Sequence, residues 1–280
     1  MTDLQHRIFK IYEAFKKVCD DNNLRYYAEG GTKIGATYWS GFIPWDDDMD
    51  IVMPLPDYEK FLSLCADQLP APLELFNGIE QPHTDLLFSK VHDRTTMFTM
   101  DNNLPFPESY IGVFLDINPL IGMPEDEAER QAFSQEFISV ARKICYAKLY
   151  DAPGDIPELT RTIMQLMHKY DYETSKFVQP LNSLKNRQLF LREDMENSTP
   201  VAFETSTIYN PNNAAKQIDI QYDNFKKDLE PSERTGHNGF VDLENSCKYY
   251  AEKFAAEPLT LAAFNRYNHH IHQLRTQARR

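Results

Sequence analysis

The chain of 280 residues carries 42 acidic against 29 basic side chains, a formal charge of −13, and 42% of its residues are hydrophobic. That balance excludes attachment to nucleic acid or anionic membrane through bulk charge, and it excludes wholesale disorder. The length suffices for one large domain or for a domain with an appendage.

In chain order, Leu4, Ile8, Ile11, Tyr12, Phe15, Val18 and Cys19 recur at three- and four-residue intervals and predict a first helix. Thr2 and Gln5 open it at capping-box spacing, and the polar run "DDNN" closes it. Residues 24–28, "LRYYA", read as a short strand running into a Gly30-Gly31-Thr32 turn, and "KIGATYW" after it reads as a short helix. "GFIPW" is expected as a loop and residues 48–53 as a strand. Pro54 and Pro56 bracket a turn before a helix over residues 57–69. Strands are expected over residues 73–76, 86–91 and 110–117, then a long helix over 125–150.

Past "DAPGDIP", at residues 151–157, the character changes. Residues 158–192 read as mostly helical, 193–247 as polar and weakly periodic, and 248–275 as a final helix. The expected fold is mixed α/β (α+β): a core over residues 1–152 with a mixed β-sheet flanked by helices, and a mostly helical region over 153–280. A single domain with helical additions is the alternative.

The segment "GFIPWDDDMDIV" places four acids within five positions, directly before an apolar run. On a strand, Met49, Ile51 and Met53 point to one face and Asp46, Asp48 and Asp50 to the other. Asp48 and Asp50 would lie about 7 Å apart at the backbone, close enough to converge on one or two hard cations. Gly30, Gly31 and Thr32 let the backbone approach a ligand and open a helix whose N–H groups suit a phosphate. Metal-holding carboxylates beside such a turn form the minimal apparatus of phosphoryl or nucleotidyl transfer. Asp116, charged within the apolar run "GVFLDINPL", is the candidate third acid, as metal ligand or as base. Taken singly, each signal has a plainer reading: a tight turn for the glycines, a solvated surface for the acids.

The stretch "GGTKIGATYWSGFIPWDDDMDIVMPLPDYEKF", residues 30–61, resembles the signature of the LicD family of cholinephosphotransferases within the nucleotidyltransferase superfamily, related to the fukutin-type enzymes. The resemblance implies a nucleotidyltransferase-type core and transfer of a phospho-alcohol, such as phosphocholine, from a CDP-linked donor. The implied acceptor is a sugar hydroxyl of a cell-surface glycan (teichoic acid or lipopolysaccharide) or its lipid-linked precursor. It implies Mg²⁺, or Mn²⁺, held by Asp48, Asp50 and Asp116, and phosphate held at Gly30, Gly31 and Thr32. "SKVHDRTTMF" resembles the segment that follows in the family and places Lys90 and Asp93 near the donor. Tyr38 and Leu55 stand where the family has arginine, and Lys33 replaces an apolar residue, so Lys33 or Lys90 is expected to compensate on the substrate side. The resemblance fades after about residue 150, leaving acceptor recognition to the C-terminal half.

Other readings remain open at this level. The fold would also serve a nucleotidyltransferase acting on a small molecule or protein, or a noncatalytic nucleotide-binding protein. Tyr26, Tyr27, Tyr38, Trp39 and Trp45 could stack on a base or enclose a quaternary ammonium group, or pack in the core. His92 could act as an acid or base. Cys19, Cys65, Cys145 and Cys247 are widely spaced and expected as reduced structural thiols. The absence of an apolar leader or a run of ~18 apolar residues gives an expected cytoplasmic location, with at most peripheral contact at the inner face of the membrane.

Overall fold

The computed structural model describes residues 1–100, 103, 106–150, 154–181, 189–222 and 239–255. Helix α1 (Asp3–Asn22) opens on the predicted capping box: the Gln5 N–H donates to Thr2 Oγ1 at 3.1 Å and the Thr2 N–H to Gln5 Oε1 at 2.9 Å. It ends at Asn23, which adopts the left-handed conformation with φ of 53°. Strand β1 (Tyr27–Ala28), helix α2 (Gly30–Tyr38), strand β2 (Asp50–Pro54) and helix α3 (Leu55–Gln68) follow. Strands β3 (Leu73–Asn77), β4 (Ser89–Asp93), β5 (Met97–Met100) and β6 (Val113–Met123) lead into helix α4 (Glu127–Tyr150). Beyond lie α5 (Ile156–Met167), β7 (Phe177–Pro180), β8 (Phe190–Leu191), α6 (Arg192–Glu196), β9 (Thr199–Phe203), β10 (Ser206–Asn210), α7 (Ala214–Gln221), β11 (Gly239–Asp242) and α8 (Cys247–Ala255).

The main sheet runs β1-β2-β6-β4-β3, and the second half of β6 exchanges β4 for β7, which carries β8. Strands β2 and β6 are parallel; the other described pairings are antiparallel. The mixed α/β class expected from the sequence is the one observed. One face of the sheet holds the large core, where α1 and α3 meet Met49, Ile51, Met53, Val91, Leu115 and Ile117. Phe15 meets Tyr26 and Phe61 edge-on there, with centroids 5.2 and 5.0 Å apart. Full burial of such a ring stabilises the fold by about 1.5–3 kcal/mol. The other face carries a smaller cluster of Tyr27, Val52, Leu120, Tyr172, Val178, Phe190 and Met195.

Several expectations need correction. Gly30, Gly31 and Thr32 form the first turn of α2 rather than a turn before it. Strand β2 begins at Asp50, leaving Asp48 in the preceding loop. The stretch 158–192 is helical only to Met167, and β7 and β8 then join the sheet. Strand β5 and the β9–β10 hairpin also escaped notice, because strands of two to five residues are too short to show a period. Through β7 on β6 and β11 on β5, residues on both sides of 151–157 share sheet pairing. Residues 151–153 of that expected boundary, and the expected helix beyond 255, lie outside the described residues. Among the described residues, no helix is long and apolar enough to cross a membrane. All four cysteines are free.

Candidate active site

The alternation read from the sequence holds from Met49 onward. Met49, Ile51 and Met53 enter the large core, while Val52 belongs to the opposite cluster and Asp50 shares its side of β2. Parallel pairing sets Asp50 beside Asp116 on β6, and antiparallel pairing sets Asp116 beside Lys90 on β4. A polar row thus crosses three strands. Asp48, from the loop, closes on it: one carboxylate oxygen from each of Asp48, Asp50 and Asp116 lies within 4.8 Å of the other two.

Asp48 and Asp116 are 8% and 9% exposed. Two unit charges at that separation repel by about 3.5 kcal/mol at an effective dielectric of ~20, well beyond the value of a surface ion pair. Burial, and then the charges of Asp48, Asp116, Glu29 and Asp46, push the Asp50 carboxyl well above its ordinary range. Three convergent hard oxygens under such mutual repulsion fit a divalent cation, which would neutralise them. Asp46, Asp47 and Asp48 also present oxygens within 4.8 Å of one another.

The surrounding elements hold this geometry. The Asp50 N–H donates to Thr32 Oγ1 at 2.8 Å, and the Glu29 N–H donates to the Asp50 carbonyl at 3.2 Å. The Asp116 N–H donates to the Met49 carbonyl at 2.9 Å. Gly30 has φ of +55°, and a Cβ there would meet Asp50 Oδ2 at 2.7 Å; a Cβ on Gly31 would meet the Asp46 carboxylate. No side chain caps the first turn of α2, so its positive end faces the acids of the loop and strand.

Two positioning residues escaped the sequence reading. Gln5, 2% exposed, donates its side-chain amide to the carbonyls of Ile43 at 3.1 Å and Asp46 at 2.9 Å, so α1 clamps the acidic loop. Glu204, in the β9–β10 turn, accepts the Phe42 N–H at 3.0 Å. Gln5 was visible only as a capping residue, and no local signal marks Glu204.

The structure separates the other expected substrate contacts. Lys90 reaches the row but donates to Asp116 and lies over the Phe114 ring. Lys33 is fully buried; its ammonium pairs with Glu29 Oε2 at 3.0 Å, donates to Gln217 Oε1 at 3.3 Å and sits 4.5 Å over the Phe190 ring. Burial lowers its pKa, with Glu29 opposing. It therefore neutralises Glu29 instead of meeting a phosphate. Asp93 occupies the opposite side of β4 from Lys90, where it accepts from Arg7 of α1 at 3.1 Å and from the Thr95 N–H and hydroxyl. Thr32 supports Asp50, as described above.

His92 is buried, its Nδ1 accepts the Gly112 N–H at 3.1 Å, and desolvation lowers its pKa to about 4. It is a neutral structural group. Leu55 is core, so the site where the family has arginine is apolar here. Tyr26 and Tyr27 pack on opposite faces of the sheet, whereas Tyr38, Trp39 and Trp45 form a half-buried edge-to-face chain, with centroids 6.3 and 6.0 Å apart, adjoining Asp46 in sequence.

Residues 23–75 match the family description "LicD/FKTN/FKRP, nucleotidyltransferase domain". Over 118 residues the chain is 41% identical to the lipopolysaccharide cholinephosphotransferase LicD of Haemophilus influenzae, an overlap of 41% of this chain and 42% of that protein. The match thus spans less than half the length of that relative. The segment that matches the family description carries Gly30, Gly31, Thr32, Asp48 and Asp50 and ends before Lys90 and Asp116.

Proposed function

We propose that this protein is a divalent-metal-dependent phosphotransferase of LicD type, moving a phospho-alcohol such as phosphocholine from a CDP-linked donor to a sugar hydroxyl of a cell-surface glycan or its precursor. The observation that carries the reading is the convergence of Asp48, Asp50 and Asp116 beside the N-terminus of α2. Mg²⁺ or Mn²⁺, when bound, would neutralise the three carboxylates and the charge on the transferred phosphoryl group. Asp48, Asp50 and Asp116 would hold it. The N–H groups at the start of α2 orient a phosphate oxygen. Thr32 and Gln5 keep the acids in place by anchoring the strand start and the loop. Lys90 holds the Asp116 carboxylate toward the row. The half-buried Tyr38, Trp39 and Trp45 offer ring faces to the donor's base or alcohol.

Incubation with CDP-choline and a glycan acceptor, with Mg²⁺ or with chelator, tests the reading. Release of CMP with phosphocholine on the acceptor is the expected outcome. CMP on the acceptor with release of phosphocholine would assign nucleotidyl transfer instead, and no Mg²⁺-dependent turnover or nucleotide binding by the folded protein would reject catalysis.

A further inference from the structure

Asn118 follows Asp116 by two residues on β6, so both side chains leave the same face of the strand. The parallel register repeats the relation on β2, where Asp50 stands beside Asp116 and Val52 beside Asn118. Val52 and Leu120, the neighbours of Asn118 on this face, both belong to the smaller apolar cluster. Asn118 therefore sits one pleat beyond the acidic row, about 7 Å along the strand from Asp116. The other edge of β6 changes partner at this point. Its pairing with β4 stops at Ile117 and its pairing with β7 starts at Leu120.

Asn118 is only 1% exposed, and neither Oδ1 nor Nδ2 has a hydrogen-bond partner among the described residues. A buried amide left in that condition costs about 1–3 kcal/mol, and an aliphatic side chain of similar size would spare the fold that cost. The polar groups in register with it on this face are Asp116 and Asp50, which are themselves acceptors. Lys90 is committed to Asp116. What can satisfy the amide is a donor held by the acids. Mg²⁺ takes six oxygens, of which the three carboxylates supply one each, and it usually keeps several waters. The protons of such waters need acceptors, and an amide oxygen offers one without adding a fourth negative charge to the trio.

We propose that Asn118 is a positioning residue of the cation site, its Oδ1 accepting a hydrogen bond from a water coordinated to the metal that Asp50 and Asp116 hold. The inference rests on the metal-dependent reading of the three acids and extends their site to a neutral side chain one pleat further along β6.

Titration of the full chain with Mn²⁺ in the absence of substrate, together with thermal unfolding in chelator, tests it. Asn118→Leu should weaken Mn²⁺ binding about tenfold or more, as loss of an outer-shell partner does, while its thermal midpoint in chelator equals or exceeds that of the wild type. Asn118→Asp, which keeps the oxygen, should bind Mn²⁺ at least as tightly as the wild type. Equal Mn²⁺ affinity in wild type and Asn118→Leu, or weaker binding by Asn118→Asp, would overturn the inference and leave the three carboxylates as the site. A lower midpoint for Asn118→Leu in chelator would also overturn it, since that marks an amide already satisfied within the fold. Failure of the wild type to bind Mn²⁺ would remove the metal-dependent reading and this inference together.

Discussion

The backbone N–H of Asp50 donates to the hydroxyl of Thr32 across 2.8 Å, tying the first residue of β2 to the first turn of α2. That bond makes the glycine-rich helix start and the acidic strand one rigid unit. It gives the Thr32 hydroxyl the task of anchoring the start of the strand that carries Asp50; the phosphate contact implied by the family resemblance was one of the backbone at Gly30, Gly31 and Thr32. Thr32→Val leaves a part-buried N–H without that acceptor and should cost about 1 kcal/mol or more in urea unfolding, with reduced turnover. Thr32→Ser, which keeps the oxygen, should recover most of both.

Asp50 faces Asp48 and Asp116 together, and burial with their charges holds its carboxyl well above the ordinary range. Asp50→Asn should lower turnover by about 100-fold or more through loss of a charge-stabilising group. The same change should raise the thermal midpoint of the protein in chelator, because one member of a repelling trio becomes neutral. Adding Mg²⁺ should then stabilise the wild type more than the variant. A variant less stable than wild type in chelator would contradict the repulsion inferred here.

Lys33 and Glu29 form a buried pair, so their energetic role is the opposite of a substrate clamp's. Lys33→Met strands the Glu29 charge with Gln221 as its remaining described partner and should cost about 3–5 kcal/mol. Conditions that keep the variant folded should show its KM for the donor near the wild-type value. A large rise in KM with unchanged stability would restore Lys33 to the substrate.

His92 links stability to pH. Its folded pKa is lowered to about 4, against about 6.5 for an unperturbed imidazole, by burial against the Gly112 N–H. Between those values the unfolded chain binds more protons than the folded one, so stability rises with pH from about 4 to about 6.5 and is lost as pH falls through that window. Carboxylates contribute acid lability in the same range, so the difference between wild type and His92→Gln isolates the histidine. Urea midpoints should fall less steeply with acidification in the variant. Identical slopes would mean that His92 is already protonated in the fold.

The sequence by itself determined the local items. Residues 4–19 carry a helical period, Met49, Ile51 and Met53 a strand period, and Asp116 a charge within an apolar run; these signals depend only on neighbours along the chain. Asp48, Asp50 and Asp116 could be singled out for that reason, and they converge. Lys33 pairs with Glu29 four residues earlier, at the N-cap of α2, a spacing legible in the sequence, and tertiary structure decided only its complete burial. The fates of Lys90 and Asp93 were decided by packing: each goes to the opposite charge brought up to it, Asp116 across the sheet and Arg7 from α1 on the far face. Desolvation makes such a partner compulsory for a buried charge, and no periodicity names it. The placement of Gln5 and Glu204 beside the acidic loop has the same origin. Their roles come from segments far apart in the chain that only the fold brings to that loop.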